Sequence, residues 1–169
     1  DILERASARE TTSRVAAGAL ARRLLAEFGV EIGSHLVSLG GIRAQRPATL
    51  PVPLNAASDA SPLRTLDPAA EAAMVRAVDA AKQAGDTLGG EIEVVARGVV
   101  VGLGSHVSWD RKLDGRLAAH LMSIPAVKGV EDGSGFAGTR LTGSEHNDLF
   151  YPRDDGRIGT RTNRSGGVQ

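Results

Sequence analysis

The chain contains no cysteine, which excludes a disulfide, a thiolate nucleophile and a zinc–thiolate site. Aromatic residues make up only 3% of the sequence, so no stacking platform for single-stranded nucleic acid is available. Basic and acidic residues number 20 each, and the zero formal net charge argues against a nucleic-acid partner. Neither an apolar run long enough to span a membrane nor a signal-peptide pattern is present. These absences predict a cytoplasmic protein with neither nucleic acid nor membrane as a partner.

Apolar residues account for 41% of the 169 residues, an ordinary share that predicts a folded chain with a hydrophobic core. The sequence does not begin with methionine and starts close to a predicted helix. We interpret this as a piece of a longer protein, and we expect residues 1–169 to form a single partial domain.

The most informative segment is residues 5–10, RASARE, which leads directly into an alanine-rich predicted helix. At a helix N-terminus the backbone N–H groups are unpaired and the dipole is positive, so a hydroxyl and two arginines there suit a bound anion such as phosphate. Arg5 and Arg9 share a face if both are helical, and each guanidinium can pair two phosphate oxygens. The alternative is a solvated turn in which Ser7 only caps the helix.

Hydrophobic periodicity predicts helices over 7–28, 68–84 and 111–123, and strands over 30–42 and 91–101. Small residues at 16–19 let another element approach closely, so we expect the first helix to be buried. In the second strand, Ile92, Val94 and Ala96 alternate with polar residues and are expected to face the core. Gly33 lies at a slip in the alternation of the first strand and predicts a bulge.

Prolines interrupt residues 43–66, which predicts a proline-rich surface loop or insert. Residues 144–161 are polar and are predicted to form a flexible loop. Helices and strands interleave along the chain, but no GxGxxG motif follows a strand, so a dinucleotide-binding Rossmann unit is disfavoured. The pattern favours an α+β layered architecture.

Self-contained catalytic motifs are missing. The sequence has no GxSxG elbow and no HExxH spacing among its four histidines, which are His35, His106, His120 and His146. A lone strand histidine is more often structural than catalytic, because a base needs a partner within reach. The segment 145–148, EHND, is only a weak candidate for metal ligation, and the acidic pair at 154–155 lies in a predicted turn. No metal site is predicted.

Several segments, in order along the whole chain, nevertheless resemble the chorismate synthase family. They are residues 4–11 (ERASARET), 18–20 (GAL), 85–90 (GDTLGG), 102–105 (GLGS), 110–114 (DRKLD), 122–124 (MSI), 126–131 (AVKGVE), 162–164 (TNR) and 166–167 (GG). On these motifs the chain is identified as a member of that family. The resemblance implies a β-α-β sandwich with antiparallel sheets inside and helices outside, assembled as a homotetramer.

The resemblance also implies an activity. Members of the family convert 5-enolpyruvylshikimate 3-phosphate to chorismate in the shikimate pathway of aromatic amino acid biosynthesis. The reaction is a 1,4-anti elimination of phosphate and a ring hydrogen, which requires reduced FMN although it involves no net redox change. NADP is a further nucleotide that the resemblance associates with the protein.

By the same resemblance, seven residues are expected to line the FMN site, namely Arg5, Ala6, Ser7, Pro125, Ala126, Asn163 and Arg164. Ser7 and Arg9 are expected to contact the substrate. The family motifs Gly-Glu-Ser-His-Gly, Arg-Pro-Gly-His and Arg-Ser-Asp, which carry the proposed acid–base groups, are absent. We therefore expect no catalytic residue in this chain, and expect the chain alone to be inactive. The alternatives are a non-catalytic fragment that keeps only the fold and weak anion binding, or an unrelated phosphate- or nucleic-acid-binding domain.

Overall fold

The computed structural model describes residues 2–166. Its α-helices are α1 (Ile2–Ala6), α2 (Ala8–Glu27), α3 (Leu54–Ser58), α4 (Pro68–Ala84), α5 (Leu113–Met122) and α6 (Gly143–His146), and its strands are β1 (Glu31–Leu39), β2 (Ile42–Arg43), β3 (Gly90–Arg97), β4 (Phe150–Pro152) and β5 (Ile158–Thr160). Both sheets are antiparallel, which confirms the α+β class. The described residues form two compact units, one of residues 2–18 and 100–166, the other of residues 19–99.

The unit of residues 19–99 is built on a three-stranded sheet in the order β2-β1-β3. The predicted first strand is divided by a turn at Gly40 and Gly41 into β1 and β2. The bulge predicted at Gly33 is wrong, because the register shifts between Leu36 and Ser38 instead. Gly33 has a different role: a Cβ there would lie 2.8 Å from Cβ of Leu54, so glycine allows α3 to pack directly on β1.

The burial of β3 is the reverse of the prediction. Ile92 is 70% exposed, and Val94 is also exposed. Glu93 and Arg97, on the opposite face, are half-buried. The polar face is covered because its charges have partners: the Arg97 guanidinium donates to the backbone carbonyls of Pro51 (2.8 Å) and Leu50 (3.1 Å). Hydrogen bonds thus satisfy the polar groups on the covered face of this strand.

The segment 43–66, expected as a surface loop or insert, contains α3 and much of the core of this unit. Leu50, Leu54, Ser58 and Thr65 are all buried. The Ser58 hydroxyl donates to the backbone carbonyl of Ser34 at 3.0 Å, so the segment is hydrogen-bonded to β1. The prolines rule out a long helix or strand here, but they do not prevent the segment from packing.

Helix α4 follows the sequence prediction closely. The carboxylate of Asp67 caps its N-terminus by accepting from the amides of Ala69 and Ala70, and Gly85 ends it in the left-handed conformation at a φ of 68°. Met74 points inward and is completely buried, as predicted.

The predicted helix 7–28 is present as α2, and a short helix that was not predicted, α1, precedes it with a break at Ser7. The expectation that this helix is buried is wrong. Neither α1 nor α2 has a buried residue, and the small residues at 16–19 are exposed. A Cβ added at Gly18 would meet nothing within 4 Å, so none of the described residues covers this face.

In the unit of residues 2–18 and 100–166, the predicted helix 111–123 is a 3₁₀ turn over Trp109–Arg111 followed by α5. The polar segment 144–161 includes the end of α6 and a short hairpin of β4 and β5. None of the helices in residues 2–166 is both long and apolar enough to cross a membrane.

Candidate functional site

Ser7 lies between α1 and α2 and caps the N-terminus of α2. Its Oγ accepts from the amide of Arg9 at 3.3 Å, and its carbonyl accepts from the amide of Glu10 at 3.1 Å. Ser7 is half-buried, whereas Arg5, Ala6 and Arg9 are exposed. Ser7 therefore caps α2, and the two arginines flank this helix start.

Glu10 forms ion pairs with two of the three arginines of this segment. Its carboxylate lies 3.8 Å from the guanidinium of Arg5 and 3.0 Å from that of Arg14. Within residues 2–166, no carboxylate lies within 4.0 Å of the Arg9 guanidinium. Arg9 thus has an exposed cation without an internal counter-ion, at the positive end of a 20-residue helix.

One exposed hydrogen bond, between residues far apart in sequence, links α2 to the residue that follows α5. The Arg14 guanidinium donates to Oγ of Ser123 at 2.9 Å, and the Ser123 hydroxyl donates to the carbonyl of His120 at 2.6 Å. Sequence patterns did not predict the contact between Arg14 and Ser123, because these two residues are 109 positions apart.

The predicted flavin contacts Pro125 and Ala126 occupy a tight turn directly after α5. The amide of Val127 donates to the carbonyl of Ile124 at 3.2 Å, and Ala126 has a φ of 69°. Proline followed by a residue of positive φ indicates a type II turn, in which glycine is the usual third residue. Ala126 therefore holds a backbone conformation that costs about 1 kcal/mol for a residue with a Cβ.

Asn163 and Arg164 lie in a turn that is held by a buried carboxylate. Oδ1 of Asp148 accepts from the hydroxyl of Thr162 at 2.5 Å and from the amide of Arg164 at 2.9 Å. Oδ2 accepts from the amide of Ser165 at 3.0 Å. Burial by itself would raise the pKa of Asp148, but these hydrogen bonds outweigh it and lower the pKa below its ordinary value.

The other side of the same turn is held by residues 132–135. The amide of Ser134 donates to the carbonyl of Arg164 at 2.7 Å. Gly133 has a φ of 57°, and a Cβ there would lie 2.3 Å from that carbonyl oxygen, so the close approach requires glycine. Burial, aided by repulsion from Asp114, raises the pKa of the neighbouring Asp132.

The EHND segment serves local structure. Glu145 completes a capping box with Thr142 at the start of α6, and hydrogen bonds from the Thr142 amide and hydroxyl lower the pKa of Glu145. His146 packs against Gly138, and its Nδ1 is buried without a hydrogen-bond partner. Among residues 2–166, no three His, Cys, Asp or Glu side chains are grouped to hold a metal ion.

Among the three predicted groups of site residues, the structure shows, within the described part of the chain, only an indirect link between two, through neighbouring residues. Arg14 and Ser123 connect the helix start at 5–9 with the turn at 124–127. In residues 2–166, no hydrogen bond or ion pair joins the turn at 162–166 to either of them. The grooves along residues 151–155 (about 490 Å³) and 47–71 (about 370 Å³) contain none of the predicted site residues.

Comparison with known proteins gives one consistent result. The model of the chorismate synthase family matches residues 1–169. The chorismate synthase of Symbiobacterium thermophilum is 54% identical over 171 residues, and that of Brevibacillus brevis is 51% identical over 169 residues. Each alignment covers 100% of this chain but 44% of the relative, so the chain spans less than half the length of these proteins.

A solved structure of a chorismate synthase superposes on 99% of this chain with a TM-score of 0.91 and 40% sequence identity. It is matched over 53% of its own chain. With 40% sequence identity, the two proteins are similar in sequence as well as in the order of their helices and strands.

Proposed function

Since the chain belongs to the chorismate synthase family, we propose that it forms the central part of an enzyme that converts 5-enolpyruvylshikimate 3-phosphate to chorismate. The observation that carries this proposal is the helix start at residues 5–9, where an arginine without a counter-ion follows a capping serine. It supports binding of the substrate phosphate by Arg9 and Ser7.

The chemistry of the reaction explains why a cation is needed there. A 1,4-elimination breaks one C–H bond and the C–O bond to phosphate, and negative charge builds on the departing phosphate. A guanidinium held at a helix N-terminus stabilises that charge as it develops. The same fork binds the phosphate of the substrate before the reaction, through two parallel hydrogen bonds.

We propose reduced FMN as the cofactor. Arg5, Ser7, Asn163 and Arg164 offer cationic, hydroxyl and amide groups, which fit the phosphate, ribityl hydroxyls and polar ring edge of a flavin mononucleotide. Pro125 and Ala126 add a turn whose backbone conformation is unusual. When bound, reduced FMN supplies electron density to the elimination without net oxidation or reduction.

No residue of this chain is proposed as the catalytic acid or base. His35 is buried in the sheet of the other unit, and Nδ1 of His120 lies 2.7 Å from the carbonyl of Arg116. The family motifs that carry these groups are absent from the sequence. The chain therefore holds reactants, and turnover requires groups from outside it.

The second candidate is a non-catalytic fragment with only the fold and weak anion binding. It is favoured by the exposure of apolar side chains on α2, such as Val15, Leu20 and Leu24. Such a face is normally covered by other polypeptide.

We propose that a homotetramer of the complete protein covers this face of α2. The cytoplasmic location and the use of NADP stay predictions.

Titration of FMN with the 169-residue chain, followed by flavin absorbance and fluorescence, separates the two candidates. If the flavin site is formed, FMN binds and the substrate tightens its binding. If the chain is an inert fragment, the FMN signal stays unchanged with and without substrate. Activity of the full-length gene product under reducing conditions tests the enzyme proposal itself, and absence of chorismate formation there would contradict it.

A further inference from the structure

Asp148 is the one buried carboxylate among residues 2–166, with 9% of its surface exposed. It follows α6 and its C-terminal cap, Asn147. The capping box at the start of α6 fixes this short helix, so the chain enters Asp148 from a defined direction. A buried carboxylate is costly unless each of its oxygens has hydrogen-bond donors.

Every donor to Asp148 comes from one short segment. Its two oxygens accept from the Thr162 hydroxyl at 2.5 Å and from the amides of Arg164 and Ser165 at 2.9 and 3.0 Å. Both carboxylate oxygens therefore have donors, and their hydrogen bonds order residues 162–165.

The same segment is held from its other side by the Ser134 amide, which donates to the Arg164 carbonyl at 2.7 Å. The backbone amide of Arg164 thus donates to Asp148, and its carbonyl accepts from Ser134. Because both backbone groups are fixed, the directions in which the side chains of Asn163 and Arg164 extend from the backbone are fixed as well.

We infer that Asp148 is a positioning residue for flavin binding, which holds residues 162–165 so that Asn163 and Arg164 meet the flavin. The inference rests on the proposed function, since that function makes these two residues flavin ligands. Asp148 does not itself touch the flavin. Its part is to supply an anionic acceptor that fixes one side of the turn, opposite the side held by Ser134.

The electrostatics agree with this role. Burial disfavours the ionised form of Asp148, but the hydrogen bonds from Thr162, Ser165 and Arg164 more than compensate, and the nearby His146 adds to them, so its pKa is lowered. The carboxylate is thus ionised at neutral pH, and the turn has a charged acceptor under the conditions in which the enzyme works.

The test is an Asp148→Asn variant of the full-length protein. Asparagine has nearly the same shape, but it replaces one carboxylate oxygen by an NH₂ group that cannot accept from a backbone amide. We expect the Kd for FMN, measured by fluorescence titration, to rise about tenfold, as for loss of one hydrogen bond to a charged group. Hydrogen exchange at the amides of Arg164 and Ser165 should become faster in the same variant.

Asp155→Asn is the matched control. Asp155 accepts from the amide of Arg157 at 3.0 Å in an exposed turn, and the same chemical change there should leave the Kd for FMN unchanged. A purely structural role for Asp148 would lower the thermal unfolding midpoint but leave the FMN affinity of the folded protein as it was.

If Asp148→Asn fails to fold, Thr162→Val removes a single hydroxyl from the same network and should raise the Kd for FMN several-fold. Equal FMN affinity in the wild type and the folded variant would overturn the positioning role alone. Failure of the wild type to bind FMN would instead overturn the proposed function, so the two failures are distinguishable.

Discussion

His35 and Glu93 face each other across β1 and β3, with Nε2 of the imidazole 2.7 Å from Oε2 of the carboxylate. His35 is 3% exposed, and Arg46 donates to the same carboxylate at 3.0 Å. Glu93 thus joins a buried imidazole to a surface guanidinium. The strand histidine therefore does have a partner within reach, and it is the burial of the imidazole that supports a structural role.

We predict that Glu93→Gln destabilises the chain by about 1–3 kcal/mol, because it removes the anionic acceptor of a buried imidazole and of Arg46. The measurement is urea unfolding at neutral pH. Glu91→Gln is the control in the same strand, since its partner Arg43 is exposed and exposed ion pairs contribute about 0–1 kcal/mol. Equal effects of the two substitutions would contradict the prediction.

Glu93 should also contribute to the acid sensitivity of the fold. Burial raises its pKa, but the hydrogen bonds from Arg46 and His35 prevail, so the pKa in the folded state lies below the ordinary value of 4.5. The folded state therefore binds fewer protons, and this stability is present above pH 4.5 and is lost as the pH falls through the folded-state pKa. Unfolding free energies measured across this range should fall less steeply in Glu93→Gln than in the wild type.

Leu54 should be a large contributor to stability in the unit of residues 19–99. It is 1% exposed and packs against Gly33 of β1. Leu54→Ala is expected to cost about 2–5 kcal/mol through lost burial and a residual cavity. Val52→Ala is the control two positions away, where 73% exposure predicts a change within about 0.5 kcal/mol. Chemical denaturation monitored by circular dichroism compares the two.

Arg9→Ala should weaken substrate binding and leave the fold intact. The guanidinium is exposed and has no carboxylate partner among the described residues, so its removal breaks no internal ion pair. We expect the Kd for substrate in the full-length protein to rise at least tenfold, which is about 1.4 kcal/mol, with an unchanged thermal midpoint. Arg22→Ala, an exposed arginine further along α2, is the control and should retain wild-type affinity. Unchanged kinetics in Arg9→Ala would remove Arg9 from the site.

The positive φ of Ala126 predicts how side chains of different size at position 126 affect stability. Ala126→Val should destabilise by about 1–2 kcal/mol, because a β-branched residue is strongly disfavoured in the left-handed region. Ala126→Gly should be neutral or stabilising by up to about 1 kcal/mol. Ala119→Val, at an exposed position of α5, should cost only about 0.5 kcal/mol. Thermal unfolding of the three variants ranks them, and a harmless Ala126→Val would contradict the strained turn.

The start and end of α4 illustrate what sequence reasoning predicts well. A capping aspartate, a proline at the first helical position and a terminal glycine act through neighbouring backbone atoms, so Asp67, Pro68 and Gly85 define the helix locally. The family motifs likewise give the family and the α+β class, because they are read directly from the order of residues.

Burial was the weaker part of the prediction. Alternation along β3 indicated a core face with Ile92 and Val94, yet the covered face carries Glu93 and Arg97. Their partners, at positions 35, 46, 50 and 51, lie far away in sequence. The small residues of α2 permit another helix or strand to pack closely, but they do not show whether such an element lies against this face.

The sequence by itself determined the helix N-cap at Ser7, the family and the residue types that suit an anionic ligand, because capping, motifs and charge are local properties of the chain. Only the tertiary structure decided that Arg14 reaches Ser123 and that Asp148 holds Arg164. Hydrogen bonds form between atoms that folding brings together, and periodicity along one segment carries no information about a partner more than a hundred residues away.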